Sequence, residues 1–140
     1  MENKREVSIL NPYKIEDGLA FVFLQKREKD RKTLPGYFAF FGGGIEEGES
    51  SEQALKREIK EELEFDLKDH KFLKRYIFDW IANVYYIKVE EDFESKVKVN
   101  EGEYGKFFSE KGIEVEPMII EGDRIVLKEF YDLLRRNEEI

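Results

Sequence analysis

The apolar positions in the first part of the chain form short runs of β-type residues, and polar segments separate them. Gly18–Arg27 is rich in aromatic and β-branched residues, which predicts a buried strand. The polar segment that follows contains Pro35-Gly36 and predicts a loop. Tyr37–Phe41 is apolar again and predicts a short strand that leads into three consecutive glycines.

Three apolar runs in the second half of the chain predict further strands. Phe72–Phe78 and Ile81–Val89 flank Asp79-Trp80, a spacing that is typical of two paired strands joined by a short turn. Glu103–Ser109 has the same character and predicts one more strand. The aromatic ring of Trp80 is suited to stack on a nucleobase, although an aromatic residue in a domain of this size more often belongs to the core.

The C-terminal segment has helical spacing from Asp123 onwards, and Asp123 is placed to cap the helix. Its apolar residues share one face and predict a helix that docks on the core; they are Val126, Phe130, Leu133 and Leu134. Strands interleaved with helices predict an α/β (α+β) fold with a mixed sheet between helices. The chain has 140 residues and no linker-like segment, so we expect one domain over residues 1–140.

A second helix is predicted immediately after the glycines. Ser50 and Gln53 have the spacing of a capping box, which predicts a helix that starts after Ser50 and extends to about Leu63. On a helical projection, Leu55, Ile59 and Leu63 form an apolar flank that faces the core.

Beside this flank, Glu58, Glu61 and Glu62 share one arc of the helix. Carboxylates at this spacing repel one another and need a counter-charge, of which Arg57 supplies part. A divalent cation would supply more, and oxygen ligands favour Mg²⁺ with Mn²⁺ as a substitute. Taken alone, the arc also fits an ordinary solvated acidic face.

Composition narrows the chemistry of such a site. The net charge of −8 argues against a general DNA- or RNA-binding surface. The lack of cysteine excludes disulfides, Cys-ligated zinc and thiol nucleophiles, and the single histidine, His70, is more often a surface or satisfied residue than a catalytic one. The chain has no apolar run of membrane-spanning length, and "MENKREVSIL" lacks a signal-peptide pattern, so we expect a cytoplasmic protein.

The glycines and the helix together resemble the Nudix box, which is Gly-x5-Glu-x7-Arg-Glu-U-x-Glu-Glu-x-Gly-U with U a bulky apolar residue. The segment Gly43–Phe65 agrees at eight of the nine specified positions; the matches are Gly43, Glu49, Arg57, Glu58, Ile59, Glu61, Glu62 and Phe65. The predicted strand before the glycines and the capped helix after them are the context that this motif requires.

Two positions depart from the family pattern. Glu64 stands where the family has its second glycine, just past the helix, where a left-handed backbone is common. A non-glycine residue there costs roughly 1 kcal/mol, which bears on the helix exit and not on the metal ligands. Phe41 stands before the glycines where the family often has proline, and we expect that change to be tolerated.

The resemblance implies a Nudix-type α/β/α sandwich with a loop–helix–loop catalytic motif. It also implies that Glu58, Glu61 and Glu62 bind the metal, with Glu58 an alternative candidate for deprotonating water. A backbone carbonyl at Gly42 or Gly43 is a further implied ligand.

Three supporting roles follow from the same resemblance. Arg57 is expected to hold the glutamates through ion pairs and counts among the catalytic residues. Glu49 is expected to brace the loop or join the metal cluster, and Gly44 belongs to the structural part of the loop. Family members often take a catalytic base from a later loop, for which Glu101 and Glu103 are the candidates; an ordinary acidic loop is the alternative.

The implied activity is Mg²⁺-dependent hydrolysis of the P–O–P linkage in a nucleoside triphosphate or a nucleoside diphosphate joined to another group. The expected partner is a small nucleotide, without DNA and without a membrane, and a homodimer is open because dimers are common in the family. Two other classes stay open: a catalytically silent Nudix-fold nucleotide-binding or regulatory module, and a plain acidic interaction protein. The motif does not select among nucleoside triphosphates, nucleotide sugars, ADP-ribose, dinucleoside polyphosphates and RNA ends.

Overall fold

The computed structural model describes residues 4–140. Its strands are β1 (Glu6–Glu16), β2 (Leu19–Lys26), β3 (Phe38–Ala39), β4 (Phe41–Gly44), β5 (Lys71–Ile77), β6 (Ile81–Lys88) and β7 (Tyr104–Ser109). Its helices are α1 (Ser51–Leu63), α2 (Phe93–Lys96), α3 (Glu110–Val115) and α4 (Glu121–Arg136). None of the helices within this range combines the length and the apolar character that crossing a bilayer requires.

The strands form one mixed sheet. Its main path is β3-β2-β1-β6-β5, while β4 pairs with β1 and β7 pairs with β2. β1 runs parallel to β6, and the other pairs are antiparallel. Helix α1 packs on one face and α4 on the other, which confirms the predicted α/β/α arrangement.

The sheet separates two apolar clusters. On the α1 face, the fully buried side chains Leu55, Ile59 and Leu63 pack against strand residues such as Phe23 and Phe41. Each large apolar side chain buried in this way contributes roughly 1.5–3 kcal/mol relative to exposure. The cluster on the α4 face is larger, and helix α4 supplies part of it; the buried residues from this helix are Val126, Leu127, Phe130, Tyr131 and Leu134.

The central strand β1 was not predicted, and its contacts explain why. Val7–Leu10 pair with β4 and Tyr13–Glu16 pair with β2, so Asn11 and Pro12 lie where the partner on one edge changes. A proline lacks the amide hydrogen and is tolerated in a strand where a ladder hydrogen bond is missing. Pro12 and the polar residues around it break the apolar pattern, so the sequence does not indicate this strand although it is buried for most of its length.

The other predicted elements have clear outcomes. The strands predicted over Gly18–Arg27, Phe72–Phe78, Ile81–Val89 and Glu103–Ser109 are present as β2, β5, β6 and β7. The single strand predicted over Tyr37–Phe41 is instead divided between β3, which pairs with β2, and β4, which pairs with β1. The short helices α2 and α3 were not predicted.

The C-terminal helix is present, but its predicted start was wrong. The helix begins at Glu121 after Ile120, and Ile120 makes no side-chain capping bond. Asp123 lies inside the first turn, buried, and accepts a hydrogen bond from the Phe40 amide. A local capping rule fails here because a tertiary hydrogen bond takes the carboxyl group. On the predicted apolar face, Leu133 is only half-buried.

Candidate active site

The glycines at the end of β4 lie very close to neighbouring parts of the molecule. Gly42 has φ of +138°, and a Cβ atom there would overlap the carbonyl oxygen of Ser8 in β1. A Cβ atom on Gly43 would lie 2.5 Å from Cδ of Glu58. Gly44 has room, because the nearest atom to a Cβ there belongs to Arg5 at 3.6 Å. A side chain at Gly42 would therefore overlap the backbone of β1, whereas one at Gly43 would displace the carboxyl group of Glu58.

Helix α1 begins as its sequence predicts. The Ser50 side chain accepts from the Gln53 amide, and the Gln53 side chain accepts from the Ser50 amide, which completes the capping box. The apolar flank is buried under the sheet, so the residues of the acidic arc lie next to the glycine loop.

Glu62 is the most buried carboxylate of this arc. Glu62 is only 3% exposed, and its carboxylate accepts a hydrogen bond from the Gly42 amide at 2.9 Å. Burial, together with the nearby charges of Glu101, Glu58 and Glu61, raises the pKa of Glu62 to about 8 despite the lowering effect of the Gly42 hydrogen bond. Ionisation of Glu62 is thus unfavourable without a counter-charge, and a bound cation would stabilise the ionised form.

Arg57 joins the loop to the helix. Its Nε and Nη2 atoms donate to the two carboxylate oxygens of Glu49 at 2.8 and 2.9 Å, and Nη1 donates to Glu58 at 2.8 Å. Nη2 also donates to the Gly44 carbonyl at 3.0 Å. The hydrogen bonds from Arg57 lower the pKa of Glu49 to about 2, with help from the Glu46 amide. Bidentate pairing of this kind fixes both geometry and charge.

Glu61 is the least constrained of the three helix glutamates. Its side chain is 54% exposed and lies 3.8 Å from Nη1 of Arg57. Within residues 4–140, no three potential ligand side chains converge closely enough to form a metal-binding group. The chemistry of the donors is nevertheless suited to a hard divalent cation, because they are carboxylate oxygens on one arc of α1 beside the glycine loop.

The segment before β7 is tied to the end of α1. The Asn100 amide donates to the Glu62 carbonyl at 2.7 Å, and its side chain donates to the Glu61 carbonyl at 3.0 Å. Glu101 follows directly and lies near enough to raise the pKa of Glu62. Glu103 is exposed, and its amide donates to the Lys26 carbonyl. The structure therefore brings Glu101 to the helix, and no motif in the sequence indicated the role of Asn100.

Glu64 adopts the left-handed backbone that the family's glycine would take. Its φ and ψ are 52° and 40°, and its amide donates to the Lys60 carbonyl. The Glu64 carboxylate accepts from Asn100 at 2.9 Å. The helix exit therefore keeps its left-handed geometry without glycine, and this contact offsets part of the backbone cost.

Trp80 and His70 make contacts outside the candidate site. Trp80 packs against Phe78 and lies over Gly122, where a Cβ atom would come within 2.9 Å of its ring. His70 lies 2.8 Å from Glu52 in the first turn of α1, and its Nδ1 atom is buried with no partner among residues 4–140. Neither side chain contacts the glycine loop or the arc of glutamates through a hydrogen bond within the described part of the chain.

Comparison with known proteins gives one family. The model of the NUDIX domain matches residues 3–130. The chain is 46% identical over 59 residues to the nucleoside triphosphatase NudI of Escherichia coli O139:H28 (strain E24377A / ETEC). That match spans 42% of this chain and 40% of the length of NudI.

Solved structures show the same fold over longer stretches. A MutT NUDIX hydrolase from Burkholderia pseudomallei is 25% identical, with a TM-score of 0.68, and the match covers 91% of this chain and 98% of that one. A mutT/nudix family protein from Listeria innocua is 22% identical, with a TM-score of 0.72, and the match covers both chains completely.

Proposed function

The chain belongs to the Nudix family, and from this premise we propose that it is a metal-dependent hydrolase of nucleotides. The reaction is attack of water on a phosphorus atom and cleavage of a P–O–P linkage. The observation that carries the proposal is the burial of Glu62, whose carboxylate accepts the Gly42 amide and experiences the charges of Glu101, Glu58 and Glu61. This arrangement is costly without a cation and becomes favourable when one is bound.

Mg²⁺ is the proposed cofactor, with Mn²⁺ as a substitute, because both prefer oxygen ligands. Glu58, Glu61 and Glu62 would hold it together with a backbone carbonyl of Gly42 or Gly43. When bound, a divalent ion neutralises phosphate charge and makes a coordinated water more acidic.

The chain's own groups organise this site. Arg57 fixes Glu58 and Glu49, so that the loop and the helix keep one relative position. Glu101 is the proposed carboxylate that accepts the proton of the attacking water, since it lies close enough to Glu62 for its charge to raise the pKa of Glu62. Glu103, directly before β7, is the weaker of the two candidates because its amide is bonded to the Lys26 carbonyl and it is not among the charged groups that raise the pKa of Glu62.

The proposed substrate is a small nucleotide with at least one pyrophosphate linkage. NudI is a nucleoside triphosphatase by name, which places nucleoside triphosphates first among the substrates to be tested. The net charge of −8 disfavours a long nucleic-acid footprint, because such binding gains its free energy largely from neutralising phosphates with Lys and Arg.

The test is release of phosphate or pyrophosphate from a nucleotide panel with Mg²⁺ and with Mn²⁺. Glu62→Gln should lower kcat by about 100-fold or more, since even partners outside the first coordination shell are worth 10–100-fold. Glu47→Gln is the matched control, because Glu47 is exposed on the same loop. Glu101→Gln should lower kcat more than Glu103→Gln.

Two outcomes would contradict the proposal. A folded protein that binds divalent ions and nucleotides but turns over no member of the panel would be a silent binding module. A protein whose melting temperature does not respond to divalent ions or nucleotides would be an acidic interaction protein instead, because a ligand that binds the folded state raises its stability.

A further inference from the structure

The amide of Phe40 lies where the chain changes its strand partner. Ala39 is the last residue of β3 and pairs with Gln25 of β2, whereas Phe41 is the first residue of β4 and pairs with Leu10 of β1. Phe40 stands between these two pairings and has no ladder partner in either. Its amide instead donates to Oδ2 of Asp123 at 3.1 Å.

Asp123 comes from the opposite side of the sheet, in the first turn of α4. The residue is 7% exposed, and no Lys or Arg within residues 4–140 lies within ion-pair distance of its carboxylate. Burying a carboxyl group among apolar side chains is unfavourable unless a hydrogen bond compensates it. The contact with Phe40 is the side-chain hydrogen bond that Asp123 makes in the described chain.

The glycine loop begins directly after this junction. Two residues after Phe40, the Gly42 amide donates to Glu62, and Gly42 itself lies against the Ser8 carbonyl. The loop is therefore held from one face by α1 and from the other face by α4. Because Gly42 lies close against β1, we expect a displacement at Phe40 to change the direction of the Gly42 amide and with it the position of Glu62.

We propose that Asp123 is a positioning residue for the candidate metal site, which it supports from the opposite face of the sheet through the Phe40 amide. The consequence for catalysis rests on the proposed hydrolase function. The structural part, the connection from Asp123 through Phe40 and Gly42 to Glu62, stands without it. Asp123 needs only to accept a hydrogen bond, so asparagine should replace it and alanine should not.

The kinetic experiment compares Asp123→Ala and Asp123→Asn with Asp132→Ala. Asp132 is the matched control, since it lies on the same helix with an exposed side chain that is 3.8 Å from Arg135. We expect Asp123→Ala to lower kcat about 10-fold and to raise the Mn²⁺ concentration for half-maximal rate by a similar factor, as for other outer-shell partners. The KM for nucleotide should stay within about 2-fold, and Asp123→Asn and Asp132→Ala should retain the wild-type rate within about 3-fold.

A folded Asp123→Ala variant with unchanged kcat and Mn²⁺ requirement would overturn the proposal. So would an Asp123→Asn variant that loses as much activity as Asp123→Ala, because the hydrogen-bond acceptor would then not be the group that matters.

An amide spectrum tests the connection independently of turnover and of the alanine variant. In Asp123→Asn the Phe40 and Gly42 amide resonances should both shift, while those at the C-terminal end of α4 should not. A shift at Phe40 without one at Gly42 would overturn the proposal even if the alanine variant does not fold. If the wild type hydrolyses no nucleotide, the hydrolase proposal fails while this spectrum still decides the structural one.

Discussion

The helices on the two faces of the sheet begin and dock in different ways. α1 starts with a reciprocal pair of hydrogen bonds between Ser50 and Gln53, both local in sequence. α4 starts after Ile120 without a side-chain cap, and its acidic residue Asp123 is turned inward to Phe40. The start of α1 is therefore determined by neighbouring residues, whereas the first turn of α4 is bonded to Phe40, a residue between two strands and more than eighty positions away in the sequence.

The two faces also differ in how they support the glycine loop. On the α1 face, Gly43 has no side chain and so allows Glu58 of α1 to come close, while Gly42 allows the same close approach to β1 within the sheet. On the α4 face, support comes from one buried polar group. A variant on either face should therefore disturb the same loop, but for a different physical reason.

The largest expected effect comes from Gly42→Ala. The new Cβ would overlap the Ser8 carbonyl, and φ of +138° is unfavourable for alanine. Backbone strain and overpacking together should cost roughly 2–6 kcal/mol of unfolding free energy. Chemical denaturation measures this loss, and Gly44→Ala, where a Cβ has room, should stay within about 0.5 kcal/mol. Equal losses in both variants would show that the close approach to β1 is not what requires glycine.

The next effect is a pH dependence that Asp123 confers on stability. Burial raises the pKa of Asp123 to about 7, against the lowering effects of the Phe40 hydrogen bond and Arg27. Between its unfolded pKa near 4 and a pH of about 7, the unfolded chain releases this proton and the folded chain keeps it, so wild-type stability falls as pH rises.

The variant Asp123→Asn lacks this proton and isolates the effect. Its unfolding free energy relative to wild type should rise with pH by up to about 1.4 kcal/mol per unit across that window, and level off above it. Urea titrations from pH 4 to 8 give the difference. A difference that stays constant with pH would mean that Asp123 is ionised throughout.

On the α1 face, Gly43→Ala should lower the activity but change the unfolding free energy only slightly. The added Cβ meets the carboxyl group of Glu58, which is the end of a flexible side chain and can move aside. Stability should therefore change by less than about 1 kcal/mol, while kcat should fall about 10-fold because Glu58 leaves its position beside Arg57. Parallel denaturation and rate measurements check this; unchanged kcat would contradict a role for Glu58.

Removal of the local cap on α1 should have a moderate effect. Ser50→Ala removes the acceptor for the Gln53 amide and should cost about 1 kcal/mol. Ile120 is the corresponding position at the start of α4 and makes no capping bond. Ile120→Ser should supply a capping group there and leave the first turn of α4 in place. A thermal-unfolding comparison that shows no cost for Ser50→Ala would mean that tertiary packing, and not the cap, fixes the start of α1.

The smallest expected effect is at the exit of α1. Glu64→Gly should relieve the left-handed strain at φ of 52° and lose the contact with Asn100. The net change should be a gain of about 0.5 kcal/mol, since the strain is worth slightly more than an exposed hydrogen bond. Denaturation with Glu64→Ala as the control resolves the two contributions, because alanine loses the contact but keeps the strain.

These contrasts also explain what the sequence could predict. The loop, the capping box and helix α1 were predictable because each signal lies within a few residues of the structure it determines. The same holds for the paired strands around Asp79-Trp80. β1 was not predictable, because Pro12 is tolerated only by the change of partner strand beside it and the polar Asn11 interrupts the apolar pattern.

The residues of the candidate site also fall into those that a local sequence pattern marks and those that it does not. The helix glutamates and Arg57 carry a recognisable spacing, and the structure gathers them at the glycine loop. The contributions of Asn100 and Asp123 depend on contacts between distant segments, so no local pattern marks them. Glu101 and Glu103 were indistinguishable by spacing, and only the three-dimensional arrangement separates them.

The central position of β1 has a consequence for the order in which the chain is assembled. One edge of β1 is bonded along its length to β6, from Glu6 with Ile81 to Tyr13 with Lys88. During synthesis, β1 is therefore made before β6, the partner with which it pairs from Glu6 to Tyr13. Closing such long loops before any contact compensates their entropy slows folding. The strand that pairs with the glycine-bearing β4 thus completes its other edge only after β6 has been made.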